Sequence, residues 1–206
     1  MNFSLKYYKT STLISFIVIL VAGLTSLTVA LKDLLTINNL TFFAIPSVTV
    51  LIGLILLMME KWLHLSSSLW KYFMKVPYIG GKYIGEINFV FFDQEEKIGE
   101  KICEMQIYQT PSKIKISSRF YYDEVDNKLK QITSSESFCE CIEEIDNLTY
   151  LHFAYENSGV TINNEVPKAS GFNTLKYNNE EKSLSGEYFS QRVASRNGNL
   201  YVKKTK

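Results

Sequence analysis

Two stretches without a charged side chain dominate the first third of the chain, at positions 10–31 and 34–59. A hydrocarbon core of about 30 Å takes roughly 20 helical residues to cross, and each stretch is long enough. Only Lys32-Asp33 separates them. The pattern predicts a transmembrane hairpin with helices at 12–31 and 41–60 and a tight external turn near Asn38-Asn39. A second apolar run so soon after the first argues against a cleaved signal peptide. Pro46 would kink the second helix or sit in its first turns. Ala22, Ser26 and Ala30 recur every four residues, a spacing that lets helices approach closely. That stripe serves equally well inside the hairpin or between chains.

Lysines set the orientation. Lys6 and Lys9 precede the first run, and Lys61, Lys71, Lys75 and Lys82 follow the second, whereas the hairpin loop has Lys32 beside Asp33. Both flanks therefore read as cytosolic, with Trp62 and Trp70 suited to the interfacial zone. A junction at 61–80 continues as an amphipathic helix and ends in Pro77-Tyr78-Ile79-Gly80-Gly81. This divides the chain into a membrane hairpin with its linker, 1–75, and a cytosolic domain, 76–206.

Beyond Lys82 the apolar period changes from helical to two. Tyr83, Gly85, Ile87, Phe89 and Phe91 alternate, as do Cys103, Met105 and Ile107, then Ile114, Ile116, Ser118 and Phe120. A less regular stretch covers 128–141. Leu151, Phe153, Tyr155 and Asn157 follow, then Gly171, Asn173, Leu175 and Tyr177. Leu184, Gly186, Tyr188, Ser190 and Arg192 form a seventh stretch, Leu200 and Val202 an eighth. Polar turns separate them at 177–180 and 196–199, and Asn197-Gly198 is a strong hairpin signal. Eight short strands with one apolar face imply a membrane-anchored all-β protein: a compact, eight-stranded, antiparallel, up-and-down β-barrel of lipocalin-like shape. Such a barrel has room for side chains or one small ligand.

The net charge of +1 gives no support to binding a nucleic-acid polymer. Cys103, Cys139 and Cys141 are an odd number in a reducing compartment and read as free thiols. With only His64 and His152 to add, no metal site is predicted. No nucleophile–base set or phosphate loop is legible, so the chain is not expected to be an enzyme and no cofactor is expected.

The strand faces that begin apolar end polar: Leu151 and Phe153 lead to Tyr155 and Asn157, and Leu184 leads to Tyr188, Ser190 and Arg192. Tyrosine rings can stack on bases and arginine can fork onto phosphate. Equally, Tyr155 and Tyr188 can be core residues with their hydroxyls at the rim. Strand parity places Tyr83, Ser118, Tyr155, Asn157, Tyr188 and Arg192 inside, as candidate ligand-binding residues at the polar end. Arg119 alternates outward with Lys113 and Lys115.

These residues are similar to a known family. Gly81-Lys82-Tyr83-Ile84-Gly85-Glu86 after Pro77 resembles that family's first strand. Leu151 through Asn157, Gly171 with Leu175, Leu184-Ser185-Gly186-Glu187-Tyr188 with Arg192, and Gly198-Asn199-Leu200 follow in its order. The chain resembles CBASS antiphage effectors of the CD-NTase-associated type, which join two transmembrane helices to a cyclic-nucleotide-sensing β-barrel. It departs at Asn163-Asn164, where a basic or histidine-containing approach to Gly171 is usual, and at Tyr83, where tryptophan is common. The resemblance implies a cyclic dinucleotide ligand made by a cognate nucleotidyltransferase. It also implies homo-oligomerisation on activation, disruption of the bacterial inner membrane and abortive infection. The competing readings are a membrane-anchored barrel that binds a lipid or another hydrophobic small molecule, and a structural or scaffolding protein with a filled barrel and no ligand.

Overall fold

The structure is a computed structural model describing residues 5–37, 46–93, 95–123, 129–157, 169–191 and 196–205. The chain divides into two compact units, Met1–Tyr78 with Thr110–Ser112, and Ile79–Gln109 with Lys113–Lys206. The boundary expected after position 75 falls after Tyr78, and a three-residue turn between two strands joins the helical unit.

In the helical unit, α1 (Thr10–Ile37) is 28 residues long and buries Leu13. At 1.5 Å per residue it is about 42 Å long. The second helix, α2 (Val48–Trp62), follows a Ser47 cap whose hydroxyl accepts the Val50 N–H. Pro46 therefore lies before the helix and does not kink it, while 41–45 fall outside the described residues. A 3-10 turn (Leu63–Leu65) continues α2, giving a second helical stretch of 18 residues. Both stretches are long and apolar enough to cross a membrane. Ala22, Ser26 and Ala30 are exposed, so α2 does not cover that stripe.

Ser66 caps α3 (Ser67–Phe73) by accepting the Leu69 N–H. Its extended backbone breaks the helix and redirects the chain. Tyr7, Tyr8, Leu63, Trp70, Phe73 and Met74 form the core of this unit. Trp70, expected at an interface, is instead buried and donates its indole N–H to the Val76 carbonyl at 2.9 Å. Burial, aided by the Glu60 carboxylate, pushes the Tyr8 phenol well above its ordinary range. Glu60 is buried and accepts from the Thr110 hydroxyl, the Ser112 hydroxyl and the Ser112 N–H at 2.5, 2.7 and 3.3 Å.

The second unit is the expected barrel. Its strands are β1 (Gly81–Asp93), β2 (Glu95–Gln109), β3 (Ile114–Asp123), β4 (Leu129–Ile145), β5 (Leu148–Asn157), β6 (Ala169–Asn178), β7 (Ser183–Gln191) and β8 (Arg196–Lys204). Each pairs antiparallel with its sequence neighbour, and β8 returns to β1 to close the sheet. Met105, Ile107, Ile116, Leu151, Leu175, Leu184 and Val202 fill the interior.

Two features differ from the sequence pattern. The register of β4 against β5 slips between Ser137 and Cys139, so Glu140, opposite buried Phe153, faces inward with Ile142. A bulge of this kind reverses which side chains point inward beyond it. Asn197-Gly198 is not a turn but lies inside β8, opposite Phe189 and Tyr188. The two-residue hairpin turn is Asp146-Asn147, with φ of 51° and 61°, between β4 and β5. That left-handed pair suits the right-handed twist of the flanking strands.

Candidate functional site

Alternation in β2, β4, β5 and β7 carries polar side chains inward at one mouth of the barrel. Tyr155, Asn157, Tyr188 and Ser190 converge there with Thr133, Lys101, Ile87, Phe89 and Phe120 around an open cavity of about 50 Å³. Phe89 and Phe120 supply apolar walls. Lys101 is two positions before buried Cys103 on β2, and its ammonium lies 5.0 Å from the Phe89 ring centroid. It brings a cation to the interior face of the mouth.

Glycines fix the two tyrosines. Tyr155 lies across from Gly171, where an added Cβ would fall on its ring and on the Phe189 carbonyl. Its hydroxyl donates to that carbonyl at 3.4 Å. Tyr188 lies across from Gly198, where a Cβ would come within 2.6 Å of its Cε1. Each ring therefore rests against a neighbouring strand at the one residue that leaves it space. The rotamers are set by the wall, which lowers the ordering cost of any stacking partner.

Hydrogen bonds hold the polar members. The Thr133 hydroxyl donates to the Asn157 side-chain oxygen, leaving the Asn157 amide group as the donor end. Beside Tyr188, on β6, Asn173 is buried and its Oδ1 has no hydrogen-bond partner among the described residues. An unpaired buried acceptor costs roughly 1–3 kcal/mol, so this oxygen suits a water or a ligand donor.

Of the six residues expected to share the site, Tyr155, Asn157 and Tyr188 are brought together. Ser118 is buried deeper, opposite Met105 and Ser135, one inward position before Phe120. Tyr83 is also inward and buried, but at the other end of the barrel, which corrects its placement at the polar mouth. At roughly 3.4 Å per residue, it is about 20 Å along β1 from Phe89. There its hydroxyl donates to the Ile79 carbonyl at 2.7 Å, and the Ile79 N–H donates to the Gln109 side-chain oxygen at 2.6 Å. Lys204 completes that closure: its ammonium donates to the Gly80 carbonyl, and burial together with Lys182 lowers its pKa. Tyr83 is a structural member of the closed end.

Arg192 and Asn163-Asn164 lie outside the described residues. Lys101, Thr133, Ser190 and Asn173 are the residues the expected set omitted. For Lys101 the signal was available, since it continues the inward alternation of Cys103, Met105 and Ile107 by one step. Arg119 is exposed, 4.0 Å from Glu104, on the outer wall as expected.

The outer wall also carries a histidine between two polar neighbours. His152 Nε2 lies 3.0 Å from Glu143, and Nδ1 lies 3.2 Å from the Thr174 hydroxyl. These are cross-strand neighbours on β4, β5 and β6. The mouth is the better candidate: a cation, hydroxyls, an amide and two fixed aromatic faces converge on one small volume. Compared with known proteins, the chain matches no family model and no curated protein.

Proposed function

We propose that this protein is a membrane-anchored sensor of a cyclic dinucleotide, bound at the polar mouth of its barrel. The observation that carries the reading is the convergence of Lys101, Tyr155, Tyr188 and Asn157 on one cavity. A cyclic dinucleotide presents two π-faces and two phosphates. Fixed tyrosine rings suit the first, at about 1–3 kcal/mol per stacked base. A cation held against an apolar ring suits the second. The buried Asn173 oxygen beside Tyr188, unpartnered among the described residues, suits an exocyclic or ring N–H of a base.

The packing argues against the lipid reading. A calyx for an acyl chain needs a long apolar void, whereas the deep interior here is occupied by Met105, Ile107, Ile116, Leu151, Leu175 and Leu184. The same packing bounds how the nucleotide sits. Sites for drug-sized ligands run to about 300–1,000 Å³, and the cavity is about 50 Å³. The ligand therefore lies across the mouth and inserts one portion into the cup.

In this reading the two apolar helices span the bacterial inner membrane with both termini cytosolic. Ligand binding favours an oligomeric state that disrupts the bilayer, the course that the resemblance to CBASS effectors implies. That shift requires tighter binding to the assembled state than to the resting one. Calorimetric titration of cyclic dinucleotides into the detergent-solubilised full chain tests it. Saturable binding of at least one, weakened by Tyr188→Ala, is expected. Absence of binding by every cyclic dinucleotide, with saturable binding of a fatty acid, would replace the proposal with the lipid reading.

A further inference from the structure

We infer that the segment from Lys61 to Lys75 is a second membrane contact, an interfacial anchor that docks on anionic lipid headgroups. The inference rests on the membrane-spanning part of the proposed function and is independent of the nucleotide ligand.

Four large apolar side chains on this segment face away from the core of the helical unit. Trp62 is 49% exposed, Leu65 74%, Leu69 49% and Tyr72 62%. Leu69 and Tyr72, three residues apart, share one face of α3, whereas Trp62 and Leu65 precede the Ser66 break. Leu63, Trp70 and Phe73 are buried. The segment thus has apolar side chains on both its covered and its exposed sides. The Ser66 break turns the chain just as the 18-residue apolar stretch ends, so α3 need not continue α2 out of the membrane.

The charges identify the surface that covers the exposed side. Lys61, Lys71 and Lys75 flank these side chains and are exposed, as is Lys6 in the N-terminal segment whose Tyr8 bridges to Met74. Between Asp33 and Glu86 the chain has one acidic side chain, Glu60. That carboxylate is buried and committed to Thr110 and Ser112, so it does not offset the lysines at the surface. Exposed apolar side chains edged by lysines, at the end of a helix long enough to span a bilayer, match the chemistry of an anionic leaflet. Apolar side chains enter the headgroup–acyl boundary while ammonium groups meet lipid phosphates.

The chain carries two tryptophans, one on each face of this segment, which supplies the assay. The full chain is placed in lipid nanodiscs of phosphatidylcholine alone, or of phosphatidylcholine with phosphatidylglycerol. Emission of a Trp62→Phe variant, which retains buried Trp70, is subtracted to isolate Trp62. With phosphatidylglycerol, aqueous iodide should quench Trp62 about threefold less than in phosphatidylcholine, and brominated acyl chains should quench it more. About 0.5 M salt should remove much of that difference by screening. The combined Lys61→Gln, Lys71→Gln and Lys75→Gln variant should lose the dependence on lipid charge and still resist alkaline extraction from membranes. Equal iodide quenching in both lipids would overturn the inference. So would protection that follows the protein-to-lipid ratio and not lipid charge, which would assign these side chains to a second copy of the chain. Release of the wild-type chain by alkaline extraction would instead remove the membrane reading on which the inference stands.

Discussion

Replacing Lys101 by methionine separates an anion-binding cup from a merely packed barrel end. The ammonium lies 5.0 Å from the Phe89 ring centroid. A cation–π contact of this kind contributes about 0.5–1 kcal/mol when exposed. Methionine keeps a similar length and gains a sulfur–aromatic contact of about 0.3–1.5 kcal/mol, so the unliganded barrel should keep its stability to within about 1 kcal/mol. The ligand loses more. A hydrogen bond to a charged group is worth about 1.5–3 kcal/mol, and each 1.4 kcal/mol is one decade of affinity. Lys101→Met should therefore raise the Kd for the best cyclic dinucleotide about 10- to 100-fold, measured by calorimetry on the full chain. It should also flatten the salt dependence of binding. Lys115→Met is the control, because Lys115 lies on the outer wall and pairs with Glu136 at 3.0 Å. Equal affinity for Lys101→Met and the wild type would refute the reasoning. An equal loss in Lys115→Met would show that overall charge, and not the cup, governs binding.

Tyr83→Phe removes the hydroxyl that donates to the Ile79 carbonyl; denaturant unfolding should show a loss of about 1–2 kcal/mol, with nucleotide affinity unchanged, because Tyr83 is far from the cup. Gly198→Ala places a Cβ against the Asn88 carbonyl and the Tyr188 ring; it should destabilise the barrel by about 3 kcal/mol or more, seen as a lowered unfolding midpoint. Burial, with a smaller contribution from Glu104, raises the Cys103 thiol from 9.0 to about 12. In the folded chain at about pH 8, iodoacetamide should modify exposed Cys139 and leave Cys103 unmodified, as read by mass spectrometry. The folded state holds the Cys103 proton to higher pH than the unfolded one. Its contribution to stability is complete below about pH 9 and is lost as pH rises toward 12.

The barrel was legible because period-two alternation depends only on which face of a strand is buried. Beginning at Tyr83, that pattern placed the described inward residues of β1, β2, β3, β5, β6, β7 and β8 correctly. Two local signals misled. Asn197-Gly198 has the chemistry of a hairpin turn, yet its glycine serves as the seat of the Tyr188 ring inside β8. The pair that does form such a turn, Asp146-Asn147, contains no glycine. Composition ranks turns, whereas a glycine's use depends on what lies opposite it, which a single strand does not record. The bulge after Ser137 had the same character: nothing in the run from Ser137 to Cys141 announces that Glu140 will face inward opposite Phe153.

The candidate site was half legible, for a reason of geometry. Parity reports the face of a strand but not the height along the barrel, and adjacent strands run in opposite directions. Tyr83 opens β1, whereas Tyr155 and Tyr188 lie near the ends of β5 and β7, strands that run the same way as β1. Shared parity therefore puts all three inside, and chain direction puts Tyr83 at the far end. Lys101 shows the converse: on β2, which runs the other way, a position before Cys103 reaches the same mouth as late positions on β5 and β7. A lysine is ordinarily solvated, so apolar alternation alone starts the inward face of β2 at Cys103 and leaves Lys101 out. Reading face and height together selects Lys101, Tyr155, Asn157, Tyr188 and Ser190 as one constellation and excludes Tyr83. The functional proposal stands on that set.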